Sequence, residues 1–525
     1  MLKYADTLAD GSELRGDICI IGTGAAGLVM AERFIRSGFR NVIVLESSRV
    51  SVPVPQSNEK TEELVRQGTV LNADNHRYQD PAVQPMYDGV VTRPMAGIDP
   101  RFLTRSRIRV YGGTTNCWGG WTVPLANADF DHRELSPNSF WPIRRDALKH
   151  YYSEAVRYCS LPAEIAVDPW VYDDARWWEG KTVQPIEAIR HTSSSMVRSV
   201  AFTVIGGNGQ QDEKWDFQKK LGPAIEAAQN VTIWRNANAK RLVVSGGGVT
   251  RVEAQTVDVV NGVPTPGKVR FTVAAPRFVL AAGGVETVRL LLLSGSPGSG
   301  SALLGRTFMV HPVIWGLGRF QGGKRPSEAV SRFYSQQPEL RIDPTLPRAL
   351  VFAAMTPTDA TLSRYPIGNF RAIVNFGGSG GGSIGMNWEQ APDPASTIRL
   401  DPNQKDVLGS PVVSLDWKLP QRDLDTARIG ADMVAQELKA LGYASDYYVP
   451  SPTTIDTPGD HPMGGTRMAD SPGGGYVDAD CRVHGVPNLY IASSSVFPTG
   501  GYANPTLTII ALAARLADHL MSPSA

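Results

Sequence analysis

The feature of this sequence that most constrains its fold is a strand–helix–strand unit near the N-terminal end. Residues 17–21 predict a buried strand, residues 25–37 predict a helix that ends at Gly38, and residues 41–45 predict a second strand. The unit has about 30 residues, the usual length of a βαβ unit with parallel strands. The chain is therefore expected to contain an α/β domain built on a parallel sheet.

Three glycines join the first strand to the helix in the pattern Gly22-x-Gly24-x-x-Gly27. In such a loop Gly22 permits a tight turn, Gly24 lets the backbone approach a pyrophosphate, and Gly27 allows close contact between helix and strand. The helix N-terminus adds unpaired N–H groups. Glu46 ends the second strand, where a carboxylate can bind ribose hydroxyls. The unit predicts a dinucleotide site and leaves NAD and FAD open. The neighbouring residues predicted to belong to it are Ala25, Ala26 and Ser47.

A second glycine-rich loop lies at residues 109–120, with four glycines, two threonines and an asparagine. Such a loop can lay N–H groups along a pyrophosphate or the polar edge of a ring. By composition alone, a surface turn explains it equally well. The residues predicted to contact a cofactor there are Arg109, Gly112, Gly113, Asn116, Cys117, Trp118 and Gly119.

A histidine and an asparagine lie on two loops near the C-terminal end. His461 begins the sequence His-Pro-Met-Gly-Gly, Asn504 lies in Gly-Tyr-Ala-Asn-Pro-Thr-Leu-Thr, and a strand-like segment, residues 488–492, separates them. A neutral imidazole can accept a proton near neutral pH, and an adjacent amide can hold the same substrate oxygen. We therefore expect an alcohol-oxidising site with His461 as base and Asn504 as orienting partner, if the two ends of the chain meet.

Composition excludes several other classes of protein. The hydrophobic fraction of 42% allows a large core, and the net charge of +1 argues against nucleic acid as the main partner. The four cysteines form no CxxC pair, so a disulfide framework or a zinc site is not expected, and no other metal spacing is present. The sequence shows no signal peptide pattern and no apolar run long enough for a membrane span. A cytoplasmic protein is the expectation.

These motifs, in this order, resemble those of the glucose–methanol–choline (GMC) oxidoreductases over nearly the whole chain. The matching segments include the first glycine loop, residues 112–113, residues 279–287 and the loops of His461 and Asn504. Within the family, residues 114–118 and 501–508 look most like pyranose 2-oxidases and bacterial sugar or glycoside oxidoreductases. The resemblance implies FAD as cofactor, in a Rossmann-like domain joined to a substrate domain with an antiparallel sheet.

The resemblance also implies how the chain is divided. The FAD-binding domain is expected to comprise residues 1–160, 215–310 and 460–525, and the substrate-binding domain residues 161–214 and 311–459. The further residues expected to contact FAD are Ala239, Ala282, Gly283, Ser493, Ser494, Asn504, Pro505 and Thr506.

Some positions depart from the family pattern or are weaker candidates. Cys117 stands where pyranose 2-oxidases carry a histidine bonded to the flavin; a buried thiol is usually inert, so non-covalent FAD is expected. Ser493 replaces a common aspartate and can form hydrogen bonds without a charge. His311, Gln390 and Glu389 are candidates to line the substrate cavity, and a structural role is the alternative for each.

The predicted function is FAD-dependent oxidation of a secondary hydroxyl of a sugar or glycoside. Hydride transfer to flavin N5 would accompany proton transfer to His461, with oxygen, a quinone or an electron-transfer partner as final acceptor. Three alternatives remain open at this point: oxidation of a primary or non-sugar alcohol, a lyase in which the flavin is silent, and a flavin-binding scaffold. Oligomers are possible.

Overall fold

The computed structural model describes residues 1–49, 90–91, 102–116, 118–131, 135, 139–159, 161, 195–205, 217–261, 263–335, 349–378 and 380–522. The strands, in chain order, are β1 (Leu2–Tyr4), β2 (Glu13–Arg15), β3 (Ile18–Ile21), β4 (Val42–Leu45), β5 (Val90–Val91), β6 (Trp121–Thr122), β7 (Val197–Ile205), β8 (Val231–Arg235), β9 (Asn238–Ser245), β10 (Gly248–Val260), β11 (Val263–Ala274), β12 (Phe278–Leu280), β13 (Val313–Gly322), β14 (Ala349–Pro357), β15 (Phe370–Gly377), β16 (Gly381–Trp388), β17 (Thr397–Lys405), β18 (Pro411–Asp416), β19 (Ala444–Tyr448) and β20 (Leu489–Ile491).

The helices lie between and around these strands. The α-helices are α1 (Ala25–Ser37), α2 (Phe102–Arg105), α3 (Asn127–Phe130), α4 (Lys149–Tyr158), α5 (Phe217–Ala227), α6 (Gly283–Leu293), α7 (Glu328–Tyr334), α8 (Asp359–Arg364), α9 (Gln421–Ala440) and α10 (Thr506–Met521). Short 3₁₀ helices are formed by Ala5–Thr7, Gly113–Asn116, Arg145–Leu148, Ser301–Leu303 and Ser494–Val496. Within the ranges described, no helix is long and apolar enough to cross a bilayer.

The first of the two large sheets has the strand order β1–β8–β4–β3–β12–β20. Every neighbouring pair in it is parallel. Its central strands are buried along their whole length, as expected for a parallel sheet covered by helices on both faces. Helix α1 connects β3 to β4 and packs against α10. The predicted α/β fold and its N-terminal βαβ unit are confirmed.

A larger antiparallel sheet has the order β19–β13–β16–β15–β14–β7–β6. Helix α9 packs across this sheet and contacts β13, β15, β16 and β19. The glycine-rich sequence of residues 377–385 predicts a loop or a tight hairpin. The structure has a hairpin, in which Gly377 pairs with Gly381 at the junction of β15 and β16.

The prediction of strand partners was partly wrong. In the sequence, the alternating polarity of residues 229–259 and 270–282 predicts antiparallel strands. Strands β9, β10 and β11 pair in this way, but β8 and β12 lie in the parallel sheet. Alternating polarity shows which face of a strand is buried. It does not show whether the neighbouring strand runs parallel or antiparallel. Strands β2, β9, β10 and β11 form one small sheet, and β5, β17 and β18 form another.

The strands of the two large sheets come from different parts of the chain. The parallel sheet uses only residues within 1–160, 215–310 and 460–525, the segments assigned to the FAD-binding domain. The antiparallel sheet uses residues within 161–214 and 311–459, apart from β6, which lies at 121–122. The domain division itself stays a prediction.

The three glycines of the first loop have different surroundings. Gly22 has a φ of 107°, and a Cβ there would lie 2.5 Å from the carbonyl oxygen of Ala281. A Cβ on Gly27 would lie 2.0 Å from the carbonyl oxygen of Gly22, so helix and strand are in close contact, as the motif predicts. A Cβ on Gly24 would meet no atom within 4 Å. Two glycines are therefore required by packing, and the third faces open space.

The substitution Gly27→Ala is expected to destabilise the flavin-free protein by about 1–3 kcal/mol, the usual cost of overpacking. The new methyl group forces α1 away from β3, and this cost exceeds the gain of about 1 kcal/mol in helix propensity. Gly24→Ala is the matched control, because its methyl group enters open space. Urea unfolding of the two flavin-free variants measures the difference. Equal free energies of unfolding would contradict the close contact.

Candidate active site

A cavity of about 420 Å³ lies at the carboxyl ends of the central parallel strands, where Ile21, Leu45 and Ala281 border it. This is the edge of a parallel α/β sheet at which ligands usually bind. The same cavity reaches the first glycine loop, the second glycine loop and the C-terminal loops. The two ends of the chain therefore meet at one site, as the sequence analysis required.

Three helix N-termini open into this cavity. Helix α1 begins after Gly24, α6 after Ala282 and α10 after Pro505, and none of the three has a side chain that caps it. The first N–H groups of a helix have no partner within the helix, and its dipole places partial positive charge there. The cavity thus offers backbone donors to an anionic or hydrogen-bond-accepting ligand at three places.

Glu46 is held in place at the end of β4. Its carboxylate is buried, borders the cavity, and accepts hydrogen bonds from the hydroxyl of Thr23 and, at 2.8 Å, from the backbone N–H of Ser48. The Thr23 hydroxyl in turn accepts a hydrogen bond from the N–H of Gly112 at 3.3 Å, which ties the two glycine loops together. Thr23 was missed in the sequence, because it occupies a variable position of the motif.

An ion cluster lies beside the second glycine loop. Arg107 and Arg109 both donate to Glu286, in the first turn of α6, and Arg289 bonds Asp406 at 2.6 Å. Burial acts to raise the pKa of Glu286, but Arg109, Arg107 and Arg289 lower it to about 2. Arg109, a predicted cofactor residue, borders the cavity and is bonded to this carboxylate. Arg107 and Glu286 were missed, although residues 279–287 had been recognised as a motif.

The predicted reacting pair lies at the other end of the cavity. The Nε2 atom of His461 and the Nδ2 atom of Asn504 are 3.2 Å apart, although the residues are 43 positions apart in the chain. Both side chains are half-buried and border the cavity. The Oδ1 atom of Asn504 accepts a hydrogen bond from Arg371, a buried residue of β15. The imidazole and the amide thus lie within hydrogen-bonding distance of each other at the edge of the cavity.

His311 lies behind His461 and away from the cavity. It is fully buried, its Nδ1 atom is 2.9 Å from Nδ1 of His461, and its Nε2 atom is 3.0 Å from the carbonyl oxygen of Gly501. With both ring nitrogens engaged, His311 has no atom left for a substrate. The expectation that His311 lines the substrate cavity is wrong, because its buried ring contacts His461 on the side away from the cavity.

The side-chain amide of Gln390 also forms its hydrogen bonds within the protein. Its amide oxygen accepts hydrogen bonds from the N–H of Val310, at 3.1 Å, and from the indole of Trp417, at 2.9 Å. Its amide nitrogen donates to the carbonyl of Lys418 at 2.6 Å. The side chain is buried and has no place at the substrate. It anchors the backbone next to His311 instead, which corrects the expectation of a substrate contact.

Both histidines are neutral at physiological pH. Burial lowers the pKa of His461 well below its ordinary value, and His311 and Arg371 lower it further. Burial and the charge of Arg371 lower the pKa of His311 to about 3. Burial also lowers the pKa of Arg371, to about 9, which leaves its guanidinium protonated. The site therefore combines a neutral base with one nearby fixed cation.

Most of the predicted cofactor residues border the cavity, and some do not. Those that border it are Gly22, Gly24, Glu46, Ser47, Arg109, Gly113, Trp118, Gly119, Ala239, Ala282, Gly283, Ser494, Asn504, Pro505 and Thr506. Ala25, Ala26, Gly27 and Gly112, which belong to the same two loops and the start of α1, do not border it. Cys117 and the side chain of Asn116 fall outside the described residues.

Ser493 departs from its expected role. Its hydroxyl is 2.6 Å from that of Ser495 and accepts a hydrogen bond from the Ser495 N–H, so it caps the 3₁₀ helix Ser494–Val496. Ser494 borders the cavity instead, and its hydroxyl donates to the carbonyl of Pro462 at 2.7 Å. Among the residues that the structure describes, no group of three or more histidine, cysteine, aspartate or glutamate side chains could hold a metal.

Comparison with known proteins identifies the class of enzyme that this site belongs to. The family models described as GMC oxidoreductase match residues 183–313, for the N-terminal part, and 392–513, for the C-terminal part. The chain belongs to the GMC oxidoreductase family. It is an FAD-dependent oxidoreductase that acts on alcohols, as predicted.

Several relatives are similar in sequence or in fold. A fructose dehydrogenase large subunit from Gluconobacter japonicus is 24% identical over 97% of this chain and 98% of its own. A 2-methyl-1,2-propanediol dehydrogenase from Mycolicibacterium austroafricanum is 34% identical over 26% of this chain and 24% of its own. A C-glycoside 3-oxidase from Arthrobacter globiformis is 33% identical over 24% of this chain and 25% of its own. The solved structure of pyridoxine 4-oxidase from Mesorbium loti shares the fold, with a TM-score of 0.56 and 18% identity over 96% of this chain and 99% of its own.

The cavity fits FAD by its own features. The open space at Gly24 and the uncapped start of α1 suit a pyrophosphate, and Glu46 faces the cavity where a ribose would lie. The starts of α6 and α10 offer further N–H groups to the polar edge of a flavin ring. When bound, FAD supplies the hydride acceptor.

Replacement of Glu46 by alanine is expected to raise the dissociation constant of FAD at least about tenfold, because each hydrogen bond to a charged group contributes about 1.5–3 kcal/mol. Equilibrium titration of the flavin-free protein with FAD measures the change. Glu253→Ala is the matched control, since this glutamate pairs with Arg241 on the surface, away from the cavity. Unchanged FAD affinity in a folded Glu46→Ala protein would show that the ribose lies elsewhere.

Proposed function

We propose that this enzyme oxidises a secondary hydroxyl group of a sugar or glycoside to a ketone, with His461 as the base. The observation that carries the proposal is the pair of His461 Nε2 and Asn504 Nδ2, 3.2 Å apart at the edge of the cavity. One of these atoms can accept the hydroxyl proton while the other donates a hydrogen bond to the same oxygen. This is the arrangement that alcohol oxidation needs, since the O–H proton and the C–H hydride must both leave.

The proposed reaction divides these tasks between protein and cofactor. The hydroxyl O–H bond breaks as its proton passes to Nε2 of His461, and the C–H bond breaks as a C=O bond forms; FAD, when bound, would supply the acceptor for the departing hydride. Asn504 holds the oxygen throughout, so that the C–H bond keeps its orientation. Arg371, through Asn504, stabilises the negative charge that develops on the oxygen.

The choice of a sugar rests on the relatives. Fructose dehydrogenase and C-glycoside 3-oxidase carry the names of sugar substrates, and the second name includes a position number. The final electron acceptor is proposed to be oxygen or a quinone.

A second candidate function is oxidation of a non-sugar alcohol. It is favoured by the similarity to 2-methyl-1,2-propanediol dehydrogenase, whose name specifies a small diol. The two candidates differ in substrate and share the same pair of residues. An anaerobic screen of flavin bleaching with sugars, glycosides and small diols separates them. Bleaching by small diols and by none of the sugars or glycosides would overturn the sugar proposal.

His461→Ala is expected to slow flavin reduction by substrate about 10²–10⁴-fold, the usual contribution of a positioned base, with FAD affinity nearly unchanged. Asn504→Ala should slow the same step, and the double variant should lose less than the product of the two factors, because both residues act on one oxygen. Anaerobic rapid mixing measures the rates. His150→Ala, at an exposed histidine of α4, is the control. Wild-type reduction rates in both single variants would remove the pair from the mechanism.

The pH dependence of flavin reduction offers an independent test of the base. His461 must be neutral to accept a proton, and its pKa lies well below the ordinary value. Lowering the pH from about 8 to about 6 should therefore leave the second-order rate constant of reduction nearly unchanged, and the loss should begin only at lower pH. An exposed histidine base would already lose much of its activity near pH 6.5. A loss centred there would contradict the assignment of His461, with its lowered pKa, as the base.

A further inference from the structure

The reacting pair is the middle of a longer chain of hydrogen bonds. At one end the carbonyl oxygen of Gly501 lies 3.0 Å from Nε2 of His311, whose Nδ1 lies 2.9 Å from Nδ1 of His461. His461 Nε2 faces Asn504 Nδ2 at 3.2 Å, and Asn504 Oδ1 accepts from Arg371. At one end of this series of hydrogen bonds is a carbonyl oxygen, which can only accept, and at the other is a guanidinium, which can only donate.

Backbone pairing brings the two histidines together. Met309 and Met463 form an antiparallel bridge in which each N–H donates to the other residue's carbonyl at 2.9 Å. In this register, the residues two positions further along in opposite directions face each other, and these are His311 and His461. Their rings lie 5.1 Å apart with planes at 80°, so one ring edge points at the other. The contact therefore follows from the fold itself.

The Gly501 end gives the chain a direction. A carbonyl oxygen can only accept, so Nε2 of His311 carries a proton. The ring is neutral, because burial lowers its pKa to about 3, and a neutral imidazole has one N–H. Nδ1 of His311 must then be an acceptor, and Nδ1 of His461 must donate to it. This leaves the lone pair of His461 on Nε2.

The Arg371 end requires the same direction independently. A guanidinium can only donate, so the atom of Asn504 that faces it is the amide oxygen. The amide nitrogen then faces His461, and since an amide N–H₂ group donates, Nε2 of His461 must hold the lone pair. The opposite tautomer would place two lone pairs 2.9 Å apart between the histidines and oppose N–H groups across the 3.2 Å contact.

Glu389 supports the Gly501 end. Its buried carboxylate accepts hydrogen bonds from the N–H of Gly501, at 2.9 Å, and from the N–H of Asn369, also at 2.9 Å. The second contact anchors the carboxylate at the start of β15, so the backbone of Gly501 is held with its carbonyl towards His311. This explains the presence of Glu389 near the site, where the sequence had suggested a substrate contact.

We infer that His311 and Arg371 are positioning residues that fix His461 in its Nδ1–H tautomer and Asn504 with its amide nitrogen towards the substrate oxygen. The inference rests on the proposed function only in placing the substrate hydroxyl at the cavity side of His461. The tautomer follows from the hydrogen bonds alone. Because His461 is held in this tautomer, it needs no ring flip or proton exchange before it accepts the hydroxyl proton.

The first experiment is nitrogen NMR of the FAD-loaded enzyme with ¹⁵N-labelled histidine rings. The chain has eight histidines, and the spectra of His311→Asn and His461→Ala assign the two signals of interest. The expected result is Nδ1–H for His461 and Nε2–H for His311 at neutral pH. An Nε2–H tautomer of His461 in the wild-type enzyme would overturn the inference, whatever the rates of the variants.

A pair of variants tests whether His311 is the cause. His311→Asn places an amide oxygen near the position of Nδ1 and can still accept from His461, whereas His311→Leu of similar size cannot. His461 should keep its Nδ1–H tautomer in the asparagine variant and lose it in the leucine variant. Flavin reduction should slow on the order of 10–100-fold in the leucine variant, as when a partner behind a functional imidazole is removed, and recover most of its rate in the asparagine variant.

These outcomes are separable from those of the proposed function. An unchanged His461 tautomer in the leucine variant, or equally slow reduction in both variants with equal FAD content, would overturn the role of His311. If the leucine variant fails to fold, the wild-type tautomer and the asparagine variant still decide the question. If His461→Ala reduces FAD at the wild-type rate, the proposed base is wrong, while the tautomer assignment stands on the spectra.

Discussion

Strand β12 pairs with β3 on one side and with β20 on the other, and this pairing brings the separate parts of the active site together. Phe278 is in register with both Cys19 and Leu489, so strands from the beginning, middle and end of the chain lie side by side. Because all three run parallel, the loops that follow them emerge at the same edge. The first glycine loop, the start of α6 and the loop of Asn504 therefore meet at one cavity.

The two halves of the cavity work by different physical means. The cofactor half relies on backbone groups: three uncapped helix starts and open space at Gly24. The reacting half relies on side chains whose roles are set by their partners. Burial lowers the pKa of His461, the proposed base, well below its ordinary value, and Arg371, at the far side of Asn504, stays charged despite its burial. A neutral base and a fixed cation on either side of one amide suit a reaction in which an oxygen gains and then loses negative charge.

The reacting groups are held through contacts that are long in sequence and short in space. His311 and His461 are 150 positions apart, and Arg371 and Asn504 are 133 apart. Each contact lies next to backbone pairing, at the Met309–Met463 bridge for the histidines and along β15 for the arginine. Such preorganisation costs conformational entropy when the chain folds and spares it when the substrate binds.

Local spacing in the sequence predicted the βαβ unit and the close packing at Gly22 and Gly27, and it singled out His461 and Asn504 as the candidate pair, because each depends on neighbours within a few positions or on a family motif. Only the tertiary structure decided that β8 and β12 are parallel strands, that Ser493 caps a 3₁₀ helix, and that His311 and Gln390 support the site from behind. The places of Thr23 and Arg107 at the site were likewise known only from the tertiary structure. These roles depend on hydrogen bonds to residues far away in the sequence. Residue type and local spacing do not show which distant segment will lie opposite a side chain.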